Sequence, residues 1–573
     1  MTSEAIAPGD AGWHSYVEAP LQIDHADAVE WSDSADVVVV GFGGAGACAA
    51  LEAKSRGVDV LAIDRFSGGG ATAVSGGVYY GGGTKVQKAA GVEDSAEELY
   101  KYLQMETQGV VKDETLRKFC NDSSDNLDWL TGHGMRFSGP VYQKKTVYPP
   151  EDYYLYYSGN EQLASYSAVA KPAARGHRTV GKGFFCGAYF FNALKESAQR
   201  AGVRLLPHSP VTRLVLDRTG AVVGVEVNQL PPAGEAFRKH EQGYKRFQGF
   251  LRFSLAKGVA AIKQYEMLEK SNGQRKLIRA RRGVVLSTGS FAFNRDMMRK
   301  YAPGYADTMP AASAGCDGSG MRLGQTAGGT LAQMHVVSAW RWISPPLSFL
   351  EGIIVDKSGR RFVEEDSYSG RLGEKIGEHR NHTAYLIIDR HSYVAAWKES
   401  FLSGARFLFE GLPTVRTLLL NCKKGKTLKA VAAHYQLPAD ALERTAEEYN
   451  AGARRGVDSI GKTKSYLRAL GPGPYYIIDI STGNPITVCS GIPMGGLRVN
   501  ESTGNVIRAD GADIPGLYAA GRNAVGMPSH FYVSGTSIAD CVFAGRRAGE
   551  HAAGAGAATS AAAPVGQLSA AAR

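Results

Sequence analysis

One thirty-residue run, DVVVVGFGGAGACAALEAKSRGVDVLAIDR from Asp36 to Arg65, constrains the fold of this chain more than any other. Its four valines predict a buried strand, its alanine-rich centre a helix, and VDVLAI a second buried strand, so the run reads as one βαβ unit. Gly41, Gly43 and Gly46 set G-x-G-x-x-G between strand and helix. The first glycine permits a tight turn, the second lets backbone approach a diphosphate, and the third lets the helix sit close to the strand. The helix N-terminus then offers free N–H groups and the positive dipole end to the phosphates. Gly44 and Ala45 belong to the same turn. Asp64, 23 residues past Gly41, can accept hydrogen bonds from a ribose diol, with Arg65 beside it.

The segment just beyond Arg65 decides which dinucleotide binds. SGGGATAVSGGVYYGGGT, Ser67 to Thr84, is a second glycine-rich loop. Its residues Gly70, Ala71, Thr72, Ser75, Gly76 and Gly77 are expected to cover the pyrophosphate and ribitol of a flavin. Val211 heads the strand VTRLVL, and Ser287-Thr288-Gly289 closes another buried strand. IPGLYAAGR then brings Gly521 and Arg522 to a fourth glycine-bearing turn near the C-terminus. Four such turns in this order specify FAD. A last helix opens at Gly535, Thr536, Ser537 and Ile538, whose N–H groups are expected to face the flavin pyrimidine and stabilise its charge on reduction. Capping of that helix by Ser534 is compatible with the same role.

The expected fold class is α/β: a Rossmann-like FAD-binding domain with an inserted α+β cap, or substrate, domain. A length of 573 residues suggests two or three domains, and 44% apolar with 21% charged residues suits a soluble chain with a real core. The boundaries read as an N-terminal arm at 1–34, the FAD-binding domain at 35–335 and 486–552, the cap at 336–485, and a low-complexity tail at 553–573 expected to be disordered. Two amphipathic helices are expected across 94–132, a hairpin at Thr219-Gly220, and a helix over 534–552. No apolar run reaches eighteen residues, and the N-terminus lacks a basic-then-apolar signal. The seven cysteines make no CxxC pair, and an odd count fits neither a disulfide framework nor a zinc site. A cytoplasmic protein without a metal is the expectation.

Over residues 35–552 the chain resembles the succinate dehydrogenase/fumarate reductase flavoprotein family, and within it the bacterial 3-ketosteroid Δ4-(5α)-dehydrogenases. The likeness is carried by GGATAVSGGVYYGGGT, by Arg175-Gly176-His177, by RRFVEEDSYSGR (Arg360 to Arg371) and by FYVSGTS (Phe531 to Ser537). It implies a small hydrophobic, steroid-like substrate held between the two domains against the flavin ring. It also implies two tyrosines and a serine as catalytic residues, which fall on Tyr368, Tyr532 and Ser534. The fumarate reductases carry H-x-T-x-G-G for a dicarboxylate; here that stretch is Gly491-Ile492-Pro493-Met494-Gly495-Gly496, without the histidine. Arg371 remains as a candidate partner for an anionic substrate.

Oxidising a C–C bond next to a ketone requires an acidified α-proton. The expected reaction polarises the C3 carbonyl, removes a proton at C4 and passes a hydride from C5 to flavin N5, giving a 4-ene-3-ketone. Donors fixed in place for the developing enolate usually supply the largest single effect, and Tyr532 is the expected donor. A neutral phenol or a serine is a poor base alone, so Ser534 and Tyr368 are expected to share the proton. The alternatives are a 3-ketosteroid 1-dehydrogenase, a fumarate reductase-like enoate reductase, and a flavin-containing protein that binds membrane surfaces. The electron acceptor is not specified.

The net charge of +10 is concentrated: residues 235–282 hold thirteen Lys/Arg against four Asp/Glu. Within 242–270, Phe247, Leu251, Leu255, Val259, Ile262 and Tyr265 fall at helical spacing with basic residues on the other faces. Such a helix either packs on its own protein with a solvated basic face or lies on an anionic membrane, which would make the protein peripherally membrane-associated. No aromatic interleaving suggests base stacking, so nucleic acid is not an expected partner.

Overall fold

The valine run forms the strand Asp33–Val40 in the middle of a nine-stranded sheet, in a computed structural model that describes residues 17–249, 251–379 and 381–555. Residues 1–16 of the arm and 556–573 of the tail lie outside the described residues. Val60–Ile63 and Arg204–Leu206 follow in parallel on one side, and Gln274–Leu286 on the other. The last is long enough to pair three times: with Asp33–Val40, with Asp513–Ala519, and antiparallel with Val222–Gln229. Val37 and Val39 enter one core and Val38 and Val40 another, so both faces of the strand are buried. A strand covered on both faces reads as a continuous apolar run. The hairpin expected at Thr219-Gly220 joins Val211–Leu216 to Val222–Gln229, with Asp217 Oδ1 accepting from the N–H groups of Thr219 and Ala221.

The helix Gly44–Ser55 is alanine-rich because nothing larger fits. It lies against the closing helix Thr536–Gly554, where a Cβ on Gly545 would stand 2.5 Å from Ala45 O and one on Gly549 2.2 Å from Ala49 O. Two helices at backbone contact leave room only for Ala and Gly. The N-terminal arm is tied down from Val17 onward, with Leu21–Gln22 pairing in parallel with Val215–Leu216.

Two local expectations need correction. Residues 94–132 form three helices, Ala96–Thr107, Asp113–Asn121 and Ser123–Gly132, because the polar Asn121-Asp122-Ser123 junction interrupts the apolar periodicity. The basic segment is not one helix but two, Glu235–Gly249 and Leu255–Asn272, separated by the turn Leu251–Phe253 and restarted by Ser254, whose side chain accepts from Lys257 N–H. The two fold against each other, Tyr265 Oη donating to Gly243 O at 2.7 Å. Phe247, Ile262 and Tyr265 are turned into a core with Phe66, Tyr244 and Phe293. The apolar face on which a membrane contact would depend is therefore covered by the protein itself. No helix among the described residues is long and apolar enough to cross a membrane.

Between Ile353 and Asp479 a separate antiparallel sheet runs in the order Ile353–Val355, Tyr385–Asp389, Tyr475–Asp479, Cys422–Gly425, with its own cores on both faces. A three-stranded sheet, Met309–Pro310, Cys489–Pro493 and Val337–Arg341, stands at its junction with the first sheet's domain. A further small sheet of Val78–Tyr80, Gly176–Arg178, Leu155–Tyr156 and Val141–Tyr142 carries the tyrosine-rich stretch.

Candidate active site

A cavity runs along the C-terminal ends of the central strands and the start of the first helix. Gly41, Gly43, Gly44, Ala45, Asp64 and Arg65 line it. So do Gly70, Ala71 and Thr72 of the second glycine loop, Val211, the Ser287-Thr288-Gly289 turn, and Arg522. The glycines separate by cause. A Cβ on Gly46 would meet Gly41 O at 1.9 Å, and Gly41 adopts φ +94° with Ser287 O 2.7 Å from its would-be Cβ. Those two are demanded by the protein's own backbone. At Gly43 a Cβ would meet nothing nearer than Gly69 O at 3.7 Å, so its bareness faces the cavity. Gly43 is also the N-cap and supplies no side-chain acceptor; Gly44 N–H donates to Thr72 Oγ1 at 3.1 Å, and Ala45, next along the helix, lines the cavity. The lining fits the diphosphate of FAD.

Asp64 binds the turn as well as lining the cavity: its Oδ2 accepts from Phe42 N–H and its Oδ1 from Phe66 N–H, both at 2.7 Å. Arg65 is held by Glu269 and Asp317 at 2.7 Å each. Gly76 and Gly77 do not line this cavity. Their would-be Cβ atoms meet the Tyr148 ring at 2.1 Å and the Cys186 carbonyl carbon at 2.8 Å, while Ser75 faces a second cavity. Gly535 has φ +105° and lies against Tyr80 N; Arg522 donates to Ser537 Oγ at 2.8 Å, and Thr536 Oγ1 to Val533 O at 2.8 Å. None of Gly521, Gly535, Thr536, Ser537 and Ile538 lines the cavity; Ser537 is joined to its wall through Arg522.

The sequence did not point to Tyr244, Glu266, Glu269 and Lys270, which reach the cavity from the two basic-segment helices. Their signal was present: Glu266 and Glu269 are two of only four acids in that segment. Glu269 is buried and takes Arg65 through both carboxylate oxygens, and those charges hold its carboxyl below the usual range despite burial.

A second cavity adjoins the first; Ala71 and Ala311 line both. Its walls are mostly apolar and are formed by Val74, Trp340, Trp342, Ile492, Leu408 and Phe409, with Ser75 among them. Tyr532 projects into it, stacked on Trp340 at 5.8 Å between centroids and 25° between planes. Tyr368 lies 6.4 Å from Tyr532 and edge-on to Trp340 at 5.7 Å. Its N–H donates to Asn160 Oδ1 at 2.8 Å, while its hydroxyl is buried without a hydrogen-bond partner. Ser534 Oγ is 3.5 Å from Tyr156 Oη. Burial pushes the pKa of Tyr368, Tyr532, Tyr156 and Tyr148 upward; the neighbouring Arg522 charge opposes the rise at Tyr532. Arg371 is tied to Tyr166 Oη at 3.1 Å, which in turn donates to Glu106.

The chain matches the FAD binding domain family over residues 36–538. It is 38% identical over 517 residues to the 3-oxo-5-alpha-steroid 4-dehydrogenase of Comamonas testosteroni, covering 87% of this chain and 95% of that one. It superposes with a TM-score of 0.78 at 33% identity on the crystal structure of 3-ketosteroid-delta4-(5alpha)-dehydrogenase from Rhodococcus jostii RHA1 in complex with 4-androstene-3,17-dione, covering 93% of this chain and 99% of that one. The cytochrome fumarate reductase of Shewanella frigidimarina is 26% identical over 536 residues, 91% of this chain and 77% of that one.

Proposed function

This chain belongs to the FAD-binding-domain flavoprotein family, and from that premise we propose that it desaturates a 3-ketosteroid between C4 and C5. It is an FAD-dependent oxidoreductase acting on CH–CH bonds. The observation that carries the substrate class is the apolar, aromatic-walled cavity meeting the cofactor cavity at Ala71 and Ala311. A rigid hydrocarbon skeleton there would present one edge to the flavin. A dicarboxylate would find no histidine in the 491–496 stretch and an Arg371 already engaged. We read residues 336–485 as the substrate cap on the same ground.

FAD held by the Gly41–Ala45 turn, Asp64, the Gly70–Thr72 loop and the Ser287–Gly289 turn would supply the two-electron acceptor for the C5 hydride. The protein's part is to bind, orient and move the C4 proton. Tyr532, its pKa raised by burial, stays protonated and donates to the C3 oxygen, and the adjacent Arg522 charge polarises that donor as the enolate forms. Tyr368 Oη, buried and unpartnered, and Ser534 Oγ share the proton leaving C4, with Tyr156 Oη next to the serine. Asn160 fixes Tyr368 through its backbone. Trp340 fixes the Tyr532 ring. Membrane contact through 242–270 has little to support it once Phe247, Ile262 and Tyr265 are buried.

The test is anaerobic mixing of the oxidised holoenzyme with a saturated 5α-3-ketosteroid. Bleaching of the flavin band with stoichiometric 4-ene-3-ketone is the expected result. A 1-ene product would move the assignment to 1-dehydrogenation. No bleaching, with reoxidation of the reduced flavin by an unsaturated acid, would move it to enoate reduction.

A further inference from the structure

The desaturase reading gives the basic segment 235–282 no part at the substrate, yet two of its residues, Arg252 and Phe253, enter the substrate cavity. Arg252 stands on the turn Leu251–Phe253 between the two helices of the segment and is only 8% exposed. Its guanidinium carbon lies 4.7 Å from the Phe185 ring centre and 4.3 Å from that of Phe253. One Nη donates to Val74 O at 3.1 Å, and Nε has no hydrogen-bond partner. Arg252, Phe185 and Phe253 all line the apolar cavity.

Other buried guanidinium groups of this fold are matched by carboxylates or, at Arg178 and Arg341, by two or more backbone carbonyls each, where Arg252 has one. Arg65 has Glu269 and Asp317, Arg175 has Asp94, and Arg361 has Glu365 and Asp458. Among the described residues no carboxylate stands within 4 Å of Arg252. Burial lowers its pKa to about 10, with Tyr148 as the one opposing influence. An unpaired cation in an apolar enclosure is unfavourable unless a partner arrives. Two aromatic faces make the position tolerable without satisfying it. What is missing is an anion; Nε is itself buried and one Nη is taken by Val74 O, so a carboxylate in the cavity would be met by the second Nη in a charge-assisted hydrogen bond that a neutral ketone oxygen cannot match.

The position also says which part of a ligand the cation meets. The guanidinium lies over Phe185 and Phe253, whereas Tyr532 stacks on Trp340 and Tyr368 packs against both Trp340 and Tyr532. The guanidinium and the Tyr532 hydroxyl therefore stand on different parts of the cavity lining. We propose that Arg252 binds a carboxylate carried by the substrate away from its reacting ring, so that the preferred substrates are 3-keto-5α-steroid acids with an acidic side chain. This rests on the desaturase reading of the same cavity and narrows it.

The experiment compares the FAD-loaded wild type with Arg252→Met and Arg252→Lys on a matched pair: 3-oxo-5α-cholan-24-oic acid and its methyl ester, with a dye as electron acceptor. The wild type is expected to prefer the acid at least 10-fold in kcat/KM. Arg252→Met should lose about 100-fold on the acid, chiefly through KM, and stay within about 3-fold on the ester, since truncating one partner of a desolvated charge pair removes that much affinity. Arg252→Lys should recover part of the loss. Flavin absorbance per protein should be the same in all three. Equal turnover of acid and ester by the wild type, or equal losses on both in Arg252→Met, overturns the proposal. So does loss of flavin in Arg252→Met, which would assign the guanidinium to the cofactor. If the wild type oxidises neither steroid, it is the desaturase reading that fails. Equilibrium dialysis of the acid against its ester then still decides the carboxylate site, with equal binding refuting it.

Discussion

Gly43 and Gly46 sit three residues apart in one motif and should fail for opposite reasons when changed to alanine. In Gly46→Ala the new methyl would stand 1.9 Å from Gly41 O and 2.8 Å from Ser287 Oγ. Relief requires the helix Gly44–Ser55 to move by more than an ångström. On its other side Gly545 and Gly549 hold it against Ala45 and Ala49, so it has nowhere to go. Overpacking against backbone costs about 1–3 kcal/mol, and with both sides closed the upper end is expected. Gly43→Ala meets only Gly69 O at 3.7 Å, and its φ of −93° suits any residue. The apoprotein should keep its stability within about 0.5 kcal/mol. The methyl instead occupies the approach of the diphosphate to the helix N-terminus. One lost charge-assisted hydrogen bond, about 1.5–3 kcal/mol, raises the FAD Kd roughly 10- to 100-fold. Denaturant unfolding of the apoproteins and fluorescence titration with FAD separate the two outcomes. Wild-type FAD affinity in Gly43→Ala, or apoprotein stability lost equally in both variants, would refute the placement of the diphosphate.

The site yields three further outcomes. Tyr532→Phe should lower kcat by about 10²–10³-fold with flavin content intact, as expected for a lost oxyanion donor; an effect confined to KM would remove it from that role. Tyr368→Phe and Ser534→Ala should each slow flavin bleaching by about 10²-fold or more and abolish a solvent-isotope effect on the proton step, and unchanged bleaching in either would exclude that residue from the relay. His177 is neutral in the fold: its Nδ1 lies 2.8 Å from Arg175 O and its Nε2 2.8 Å from Thr84 Oγ1, and burial lowers its pKa to about 4. The unfolded chain takes up that proton near pH 6.5. Stability is therefore complete above about pH 6.5 and declines as the pH falls towards 4, by about 3 kcal/mol at most. His177→Gln should flatten the slope of unfolding free energy across that window, and an unchanged slope would assign it to other groups.

What the sequence disclosed depended on whether the relevant physics was local. The Asp36–Arg65 unit was legible because strand, turn and helix each carry their own pattern, and the hairpin at Gly220 because Asp217 and Gly220 make a turn without outside help. The packing of Gly76 under Tyr148 was not legible, since it depends on a contact 72 residues away in sequence, and the same glycine signal that marks a phosphate loop also marks a ring resting on backbone. Arg65 shows the converse. Beside Asp64 it reads as a cofactor contact, yet its guanidinium is committed to Glu269 and Asp317, more than 200 residues on.

The basic segment is where charge counting and structure part most clearly. Its surplus of cations reads as a surface for anions, and most of those side chains are indeed outside. The residues that matter to the site are the exceptions within the run: Glu269, which holds Arg65 at the cofactor cavity, and Arg252, which has no acid and lies in the other cavity. Both depend on the break at Leu251–Phe253. A continuous helix through 242–270 would set Arg252 at the edge of the apolar stripe, about 120° around from Arg246, whereas the turn carries it inward between Phe185 and Phe253. The same turn lets the second helix fold back so that Glu269 reaches Arg65 and Tyr265 covers Gly243. One local interruption of helical periodicity therefore determines how this segment meets both the cofactor and the substrate.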